Sequence, residues 1–432
     1  MQMKHWFARV AVVATALFTM APVQAGPGDP LGAAFTVTTS AGSGQPQVAR
    51  DAAGNFLVVW QTELPAPTPP INARRYYANG TPQGPEFAVA APGNLGTDPR
   101  VAMDAAGNYV IAWRASEPGT AATLILARTF NASNAPLSPV LQVARLTQNA
   151  GYHSVAMGPD GRFVVVWNNF VVINGPIPGQ DEVGFGLGYS TVQAHRYNLN
   201  GSGGLGNILV NTSLTNPVPL LGIYNATPPK AAMDAQGNFV VVWEDRTVLT
   251  TSVVHAQRYR ASGLPAGLKT RINPTLPLQA FQPAVAMDHA GAYLIAWHTP
   301  HNTGGLSSSG YDLWARRYSA AGLGQGAAFQ LNTAGGISIQ ESLGVARDAD
   351  GDSVIAWTGS PADSCCIPQE VDIQRYGADG SPRGGKTTVR GDGTEHIRIV
   401  SAPTTAMDAY GNVVVVWYEP DGVLMGRLYQ AY

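Results

Sequence analysis

The feature that most limits how this chain can fold is a unit that occurs seven times along it. Each unit has a short apolar strand, a turn, and a second strand ending in Trp. The copies run from Val48-Ala49-Arg50-Asp51 to Trp60, Val101-Ala102-Met103-Asp104 to Trp113, and Val155-Ala156-Met157-Gly158 to Trp167. They continue as Ala231-Ala232-Met233-Asp234 to Trp243, Val285-Ala286-Met287-Asp288 to Trp297, Val345-Ala346-Arg347-Asp348 to Trp357, and Thr405-Ala406-Met407-Asp408 to Trp417. The Asp-to-Trp interval is nine residues in every copy, with Gly158 replacing Asp once. Self-similarity at this scale marks a repeat architecture in which each copy buries its apolar faces against the next.

The units also agree beyond the Trp. A third strand ends in Arg-Tyr, as in Gln257-Arg258-Tyr259 or Arg316-Arg317-Tyr318, and a glycine-containing turn leads to a fourth strand such as Phe329-Gln330-Leu331-Asn332. We label these strands A to D. Strand B is apolar at successive positions, as in Val413-Val414-Val415-Val416-Trp417, so both of its faces must be buried, and its β-branched density disfavours a helix. The seventh copy ends at Tyr432 without a D strand, while Phe35-Thr36-Val37-Thr38 lies ahead of the first A strand and matches a D strand. A closed ring uses that spare strand to complete the last blade and leaves no open sheet edge. The expected fold is therefore all-β: a seven-bladed β-propeller of four-stranded antiparallel blades, closed by its N-terminal strand.

The A–B turn, Asp-Ala-x-Gly-Asn at Asp51 to Asn55, Asp104 to Asn108 and Asp234 to Asn238, suits a tight hairpin. Asp accepts backbone N–H groups there and Gly supplies a positive φ. On this Val-Ala-x-Asp-x-x-Gly-Asn hairpin the chain resembles NHL- and SBBP-type propeller repeats, and it is similar to uncharacterised bacterial secreted repeats that join the hairpin to Gln-Arg-Tyr. The resemblance implies a propeller and attaches no single activity.

The N-terminus reads as a secretory signal: Lys4 and Arg9, an apolar run from Val10 to Ala21, and small residues at Val23 and Ala25. The run is too short to span a bilayer. Residues 1–25 are thus expected to be cleaved, leaving 26–432 as one propeller domain, a monomer that is secreted or periplasmic. Charged residues make up only 12% of the chain and the net charge is −2, which removes the basic footprint of a nucleic-acid binder. The two cysteines, Cys365 and Cys366, are adjacent, and export makes a vicinal disulfide a chemical option.

Antiparallel order puts the A–B and C–D turns at one end of every blade, and the B–C loops and D–A crossovers at the other. The long irregular segments, including Asn168 to Thr191, His298 to Tyr311, Thr358 to Glu370, Thr212 to Pro228 and Arg390 to Ala402, all belong to the second end. Binding on a regular scaffold is placed in such loops, so this is the expected ligand face. Its candidates are Glu244, Asp245, His298, His301, Tyr311, Glu370, His396 and Glu419, with Arg100, His153 and Lys230, beside Gln47, at the channel entrance.

Other motifs have structural explanations. Asp348, Asp350 and Asp352 place three carboxylates in five residues, which suits calcium, but they sit in a turn that other copies use as a plain hairpin and lack the closing Glu of an EF-hand. No cofactor is otherwise implied. The repeated Trp is expected to pack between blades rather than stack on sugars. The repeated Arg (Arg75, Arg196, Arg258, Arg317, Arg375) is expected to contact the turn Asp of its own blade. No nucleophile motif, phosphate loop or dinucleotide fingerprint occurs. The chain reads first as a non-catalytic module binding a glycan or protein on the loop-bearing face. A polysaccharide lyase or hydrolase with its site at the channel mouth and a structural surface protein are the alternatives.

Overall fold

The computed structural model describes residues 26–38, 43–62, 71–89, 96–146, 151–173, 187–204, 206–211, 218–219, 227–248, 251–273, 279–300, 311–331, 343–359, 370–390, 401–419 and 422–432. The signal-like segment, Cys365, Cys366, His301 and His396 lie outside them. The described residues form seven antiparallel sheets, and no helix among them is long and apolar enough to cross a membrane.

Each sheet is a meander. The first blade is Ser43–Arg50, Phe56–Thr62, Ile71–Tyr76 and Phe87–Ala88, and the fifth is Phe281–Met287, Tyr293–Pro300, Tyr311–Tyr318 and Phe329–Gln330. The A strands touch one another in order around the ring, and Ser43–Arg50 also meets Ser401–Met407 of the last blade. The seven repeats therefore form a closed β-propeller.

The closing strand is the N-terminal one. Phe35–Thr38 pairs antiparallel with Leu424–Tyr429, placing Phe35 opposite Gly426 and Thr36 opposite Met425. Gly426 is needed there because a Cβ would lie 2.6 Å from the Phe35 ring. The same ring reaches the first blade, 6.1 Å from Phe56 and 5.6 Å from Tyr76. One short strand thus completes the seventh blade and packs the seam.

The expected core is present. The Trp side chains of all seven repeats are at most 2% exposed. Residues 239–242 and 413–416 of two B strands are equally enclosed, because each blade is covered on both faces by its neighbours. The long B–C segment of the third blade departs from the irregular loop expected. Its strands run on as Phe163–Ile173 and Leu187–Tyr197, in register from Asn168 opposite Val192 to Ile173 opposite Leu187, and Val218–Pro219 adds a fifth strand beside them. The continuing β-branched run Val171-Val172-Ile173 accounts for the extension.

The turn end of the disc is built from the repeat itself. Each turn Asp accepts N–H groups of its own hairpin, as Asp104 Oδ1 does from Asn108 at 2.8 Å while its Oδ2 accepts Asn108 Nδ2 at 2.8 Å. Each also lies against the turn glycine of the next blade: Asp51 under Gly107, Asp104 under Gly161, Asp234 under Gly291, Asp288 under Gly351, Asp348 under Gly411 and Asp408 under Gly54. Those glycines all have positive φ, so both conformation and close approach exclude a side chain.

The repeated Arg corrects the within-blade expectation. Arg75 does pair with Asp51 of its own blade at 3.3 Å, yet it also donates to Gly107 O of the second. The others reach forward: Arg196 to Ala261 O, Arg258 to Ala320 O, Arg317 to Ala378 O and Arg375 to Gly28 O. The carbonyls of the neighbouring blade accept its guanidinium N–H groups. The Arg is therefore a tie between blades.

Candidate functional site

The channel has two unlike ends. At the turn end, a cavity of about 130 Å³ is lined by Met103, Met157, Met233, Met287 and Met407. Arg50 and Arg347 replace the methionine in the first and sixth blades. Each is buried against the turn Asp of the preceding blade, Arg50 with Asp408 at 3.2 Å and Arg347 with Asp288 at 3.3 Å. Both arginines are thus matched by a carboxylate.

The loop-bearing end gathers charge on one side. Arg100, His153 and Lys230 begin or lie near the start of the second, third and fourth A strands, and the structure brings all three to a single carboxylate, Asp98. Arg100 pairs with it at 2.6 Å, and His153 Nδ1 lies 3.7 Å from its other oxygen. The fields of Lys230 and Arg114 also act on it. Arg114 sits over the Tyr152 ring at 5.7 Å.

Asp98 is held there by a local irregularity. The pairing of Gly96–Met103 with its B strand slips between Thr97 and Arg100, a bulge that turns one residue out of the ladder. Asp98 takes φ 56° although Pro99 follows it. A residue before proline is ordinarily extended, and a non-glycine residue at positive φ costs about 1–3 kcal/mol. Gln45 before Pro46 (φ 51°) and Gln282 before Pro283 (φ 50°) share this geometry. Of the three, only Asp98 carries charge.

The electrostatics follow from burial and crowding. Burial opposes the charge on Asp98, but Arg100, His153, Arg114 and Lys230 outweigh it and hold its carboxyl below the usual range. Burial pushes His153 down to about 4 despite Asp98, so the imidazole is neutral near pH 7. Burial and then the Arg100 charge push Lys230 down to about 7. Among the described residues, Asp98 Oδ2 and Arg100 Nε are buried with no hydrogen-bond partner.

The other candidates lie elsewhere. Glu244 accepts hydrogen bonds from Ser252 Oγ at 2.6 Å and Thr227 Oγ1 at 3.0 Å. Asp245, its carboxyl raised by burial, sits 3.5 Å from His255 and 4.0 Å from Lys269. His298 is fully buried between Phe281, stacked at 6.1 Å, and Tyr311, edge-on at 6.1 Å. It faces packed rings rather than solvent, and burial brings it to about 4. Glu370 lies 4.0 Å from Lys386, which pairs more closely with Asp372 at 2.8 Å. Glu419 accepts from Trp417 Nε1 at 2.6 Å and pairs with Arg390 at 2.9 Å. Asp348 Oδ1 accepts the N–H groups of Asp350, Gly351 and Asp352, while Asp352 pairs with Arg383 at 3.1 Å. Among the described residues no three His, Cys, Asp or Glu side chains are grouped as a metal site.

No family model matches the sequence, and no curated protein matches it, so the NHL- and SBBP-type resemblance extends no further than the propeller. Solved structures do share the fold. The chain is similar to the polysaccharide lyase Uly1, with 10% identity, a TM-score of 0.53, and coverage of 93% of this chain and 100% of that one. It is also similar to a protein of unknown function from Dyadobacter fermentans, with 10% identity, a TM-score of 0.49, and coverage of 92% and 99%. An α-L-arabinofuranosidase of Fusarium graminearum gives 10% identity, a TM-score of 0.46, and coverage of 94% and 98%. At such identities the likeness concerns the fold alone.

Proposed function

We propose that the protein is an exported carbohydrate-binding propeller that takes an acidic, uronate-bearing polysaccharide at the loop-bearing end of its channel. The observation that carries this reading is the cluster of Arg100, Arg114, His153 and Lys230 around the single carboxylate of Asp98. In a chain with 12% charged residues, that concentration of donors is matched to an anion. A carboxylate on the ligand supplies acceptors for Arg100 and His153, and its sugar body meets Tyr152. The likeness to Uly1 supports the carbohydrate class by analogy of fold.

Affinity electrophoresis of the full chain through gels containing polygalacturonate, hyaluronan or alginate, with neutral dextran as control, tests this. Retardation by at least one acidic polymer, weakened about tenfold or more by Arg100→Gln, is expected. No retardation by any of them, with dextran and acidic gels alike, overturns the proposal.

A second reading, catalysis by β-elimination, is favoured by one observation. The Lys230 amine, with its pKa near 7, is partly unprotonated at neutral pH, as a general base requires. It would take the proton from the carbon α to the uronate carboxylate. That electron pair forms the C=C bond, the bond to the β glycosidic oxygen breaks, and the leaving oxygen takes a proton from water. Ultraviolet absorbance of an unsaturated uronate, lost in Lys230→Met while retardation persists, separates turnover from binding alone.

A further inference from the structure

The turn end departs from its own rule in one blade. In six blades a turn carboxylate lies under the next blade's turn glycine, but the third blade has Gly158 at that position. Its hairpin also carries Arg162 where four others carry an Asn that donates to the turn Asp. The result reverses the local charge. Gly237 of the fourth blade faces the Arg162 guanidinium, whose Cζ lies 2.8 Å from where a Cβ of Gly237 would be.

A second guanidinium shares the place. Arg196, the repeated Arg of the third blade, is part-buried and donates to Ala261 O. Its pKa is lowered by burial and then by the charge of Arg162. Arg162 pairs with Asp160 at 2.5 Å, both of them about 39% exposed. Among the described residues no carboxylate pairs with Arg196, so two guanidiniums share one half-exposed acid. Arg162, Arg196, Asn198, Gly204, Met233 and Ala261 line a cavity of about 200 Å³ between the third and fourth blades.

We propose that this inter-blade cavity is a binding site for a carboxylate-bearing small molecule, whose carboxylate stands where the turn Asp stands in the other six blades. The geometry of those blades is the template. There a carboxylate accepts from the hairpin, as Asp51 does from Asn55 N at 2.8 Å and Nδ2 at 3.0 Å, and in the first blade it also accepts from Arg75 at 3.3 Å. In the third blade the same space is bordered by Arg162, with its partner Asp160, and by Arg196, and a planar guanidinium fork matches a carboxylate better than a point charge does. The site lies on the turn end and is independent of the cluster around Asp98.

The template also dictates the test. Gly158 is not among the glycines at positive φ, so Gly158→Asp returns the missing carboxylate without strain at φ. Its Cβ would lie 3.1 Å from the backbone Asp234 O, 3.2 Å from Asp160 Oδ1 and 3.3 Å from Met233 Sδ, so the two side chains must yield and the Asp234 carbonyl must shift slightly. Thermal unfolding of the full chain is followed against sodium acetate, sodium glucuronate and sodium sulfate, with sodium chloride at equal ionic strength. For the native chain, acetate or glucuronate should raise the melting temperature saturably by a few degrees above chloride, with half-saturation on the order of millimolar. The Gly158→Asp chain should melt higher without ligand and lose the response, and Arg196→Gln should lose the response alone. Glucuronate acting at lower concentration than acetate would mean that the cavity also reads the sugar, and equality would mean that it reads the carboxylate only; both support the site. A response that survives in both variants, sulfate as effective as acetate, or no response in the native chain overturns it. If Gly158→Asp does not fold, Arg196→Gln decides.

Discussion

The two ends of the channel are made from the same seven strands and hold their charge in different ways. At the turn end, charge is distributed by the repeat, either paired, as in Arg50 and Asp408, or tied to a carbonyl of the next blade, as in Arg258 and Arg317. At the loop-bearing end, Arg100, Arg114, His153 and Lys230 crowd round Asp98. A repeated contact ties each blade to the next, so it stabilises. An unrepeated cluster of like charges around one buried acid, held by a residue at positive φ, costs stability, and such costs concentrate where ligands bind.

Four measurements would break or sharpen that contrast. The largest effect is expected at the seam of the turn end. Asp408→Ala leaves Arg50 buried and unpaired, which should cost about 3–5 kcal/mol in chemical denaturation; a loss below about 1 kcal/mol would deny that the turn end is held by paired charge. Next is Lys230, whose replacement by Met should stabilise the fold. Its pKa is near 7 folded against about 10.5 unfolded, so between those values the unfolded chain binds more protons and native stability rises with pH. The native melting temperature should therefore climb from pH 7 toward pH 10 relative to the Lys230→Met chain. Parallel curves would show that Lys230 is not held in the cluster as described.

On the acid side His153 gives the third and smaller effect. Its folded pKa of about 4 lies below the unfolded value of about 6.5. Its contribution is whole above pH 6.5 and drains away as pH falls toward 4, because protonation favours the unfolded chain. His153→Gln should flatten that decline by a few degrees. The smallest effect is Asp104→Ala, at about 1 kcal/mol, because Asp104 serves its hairpin without a paired Arg. A loss equal to that of Asp408→Ala would remove the distinction between a turn residue and a seam residue.

Much of the scaffold was legible in the residues. The spare Phe35-Thr36-Val37-Thr38 strand and the truncated seventh copy announce closure, and an all-apolar strand ending in Trp announces a blade covered on both faces. Arg100, His153 and Lys230 could be set at the channel entrance because each lies near the start of the A strand of its own repeat. Asp98 could not, since nothing in its type forces a positive φ ahead of a proline. The available signal was the recurrence of Xaa-Pro at Pro46, Pro99, Pro283 and Pro403, with an acid at only one of them. Arg114 was hidden because it follows the recurring Trp113 in a strand read as core. The forward reach of Arg196 and its equivalents was illegible for a different reason: it depends on how adjacent blades are rotated, which a single repeat does not encode.

The pairing of Phe35–Thr38 with Leu424–Tyr429 has a consequence in time as well as in space. Phe35–Thr38 is made before all seven repeats and its partner Leu424–Tyr429 within the seventh, and until the two meet the seventh blade and the face of the first remain open. Loop-closure entropy around the whole ring sets that step. The protein can accumulate six blades and still be unfinished, with unpaired strand edges available to other copies. Its vulnerable moment precedes that pairing, and the four residues that end it are made before the first blade whose face they cover.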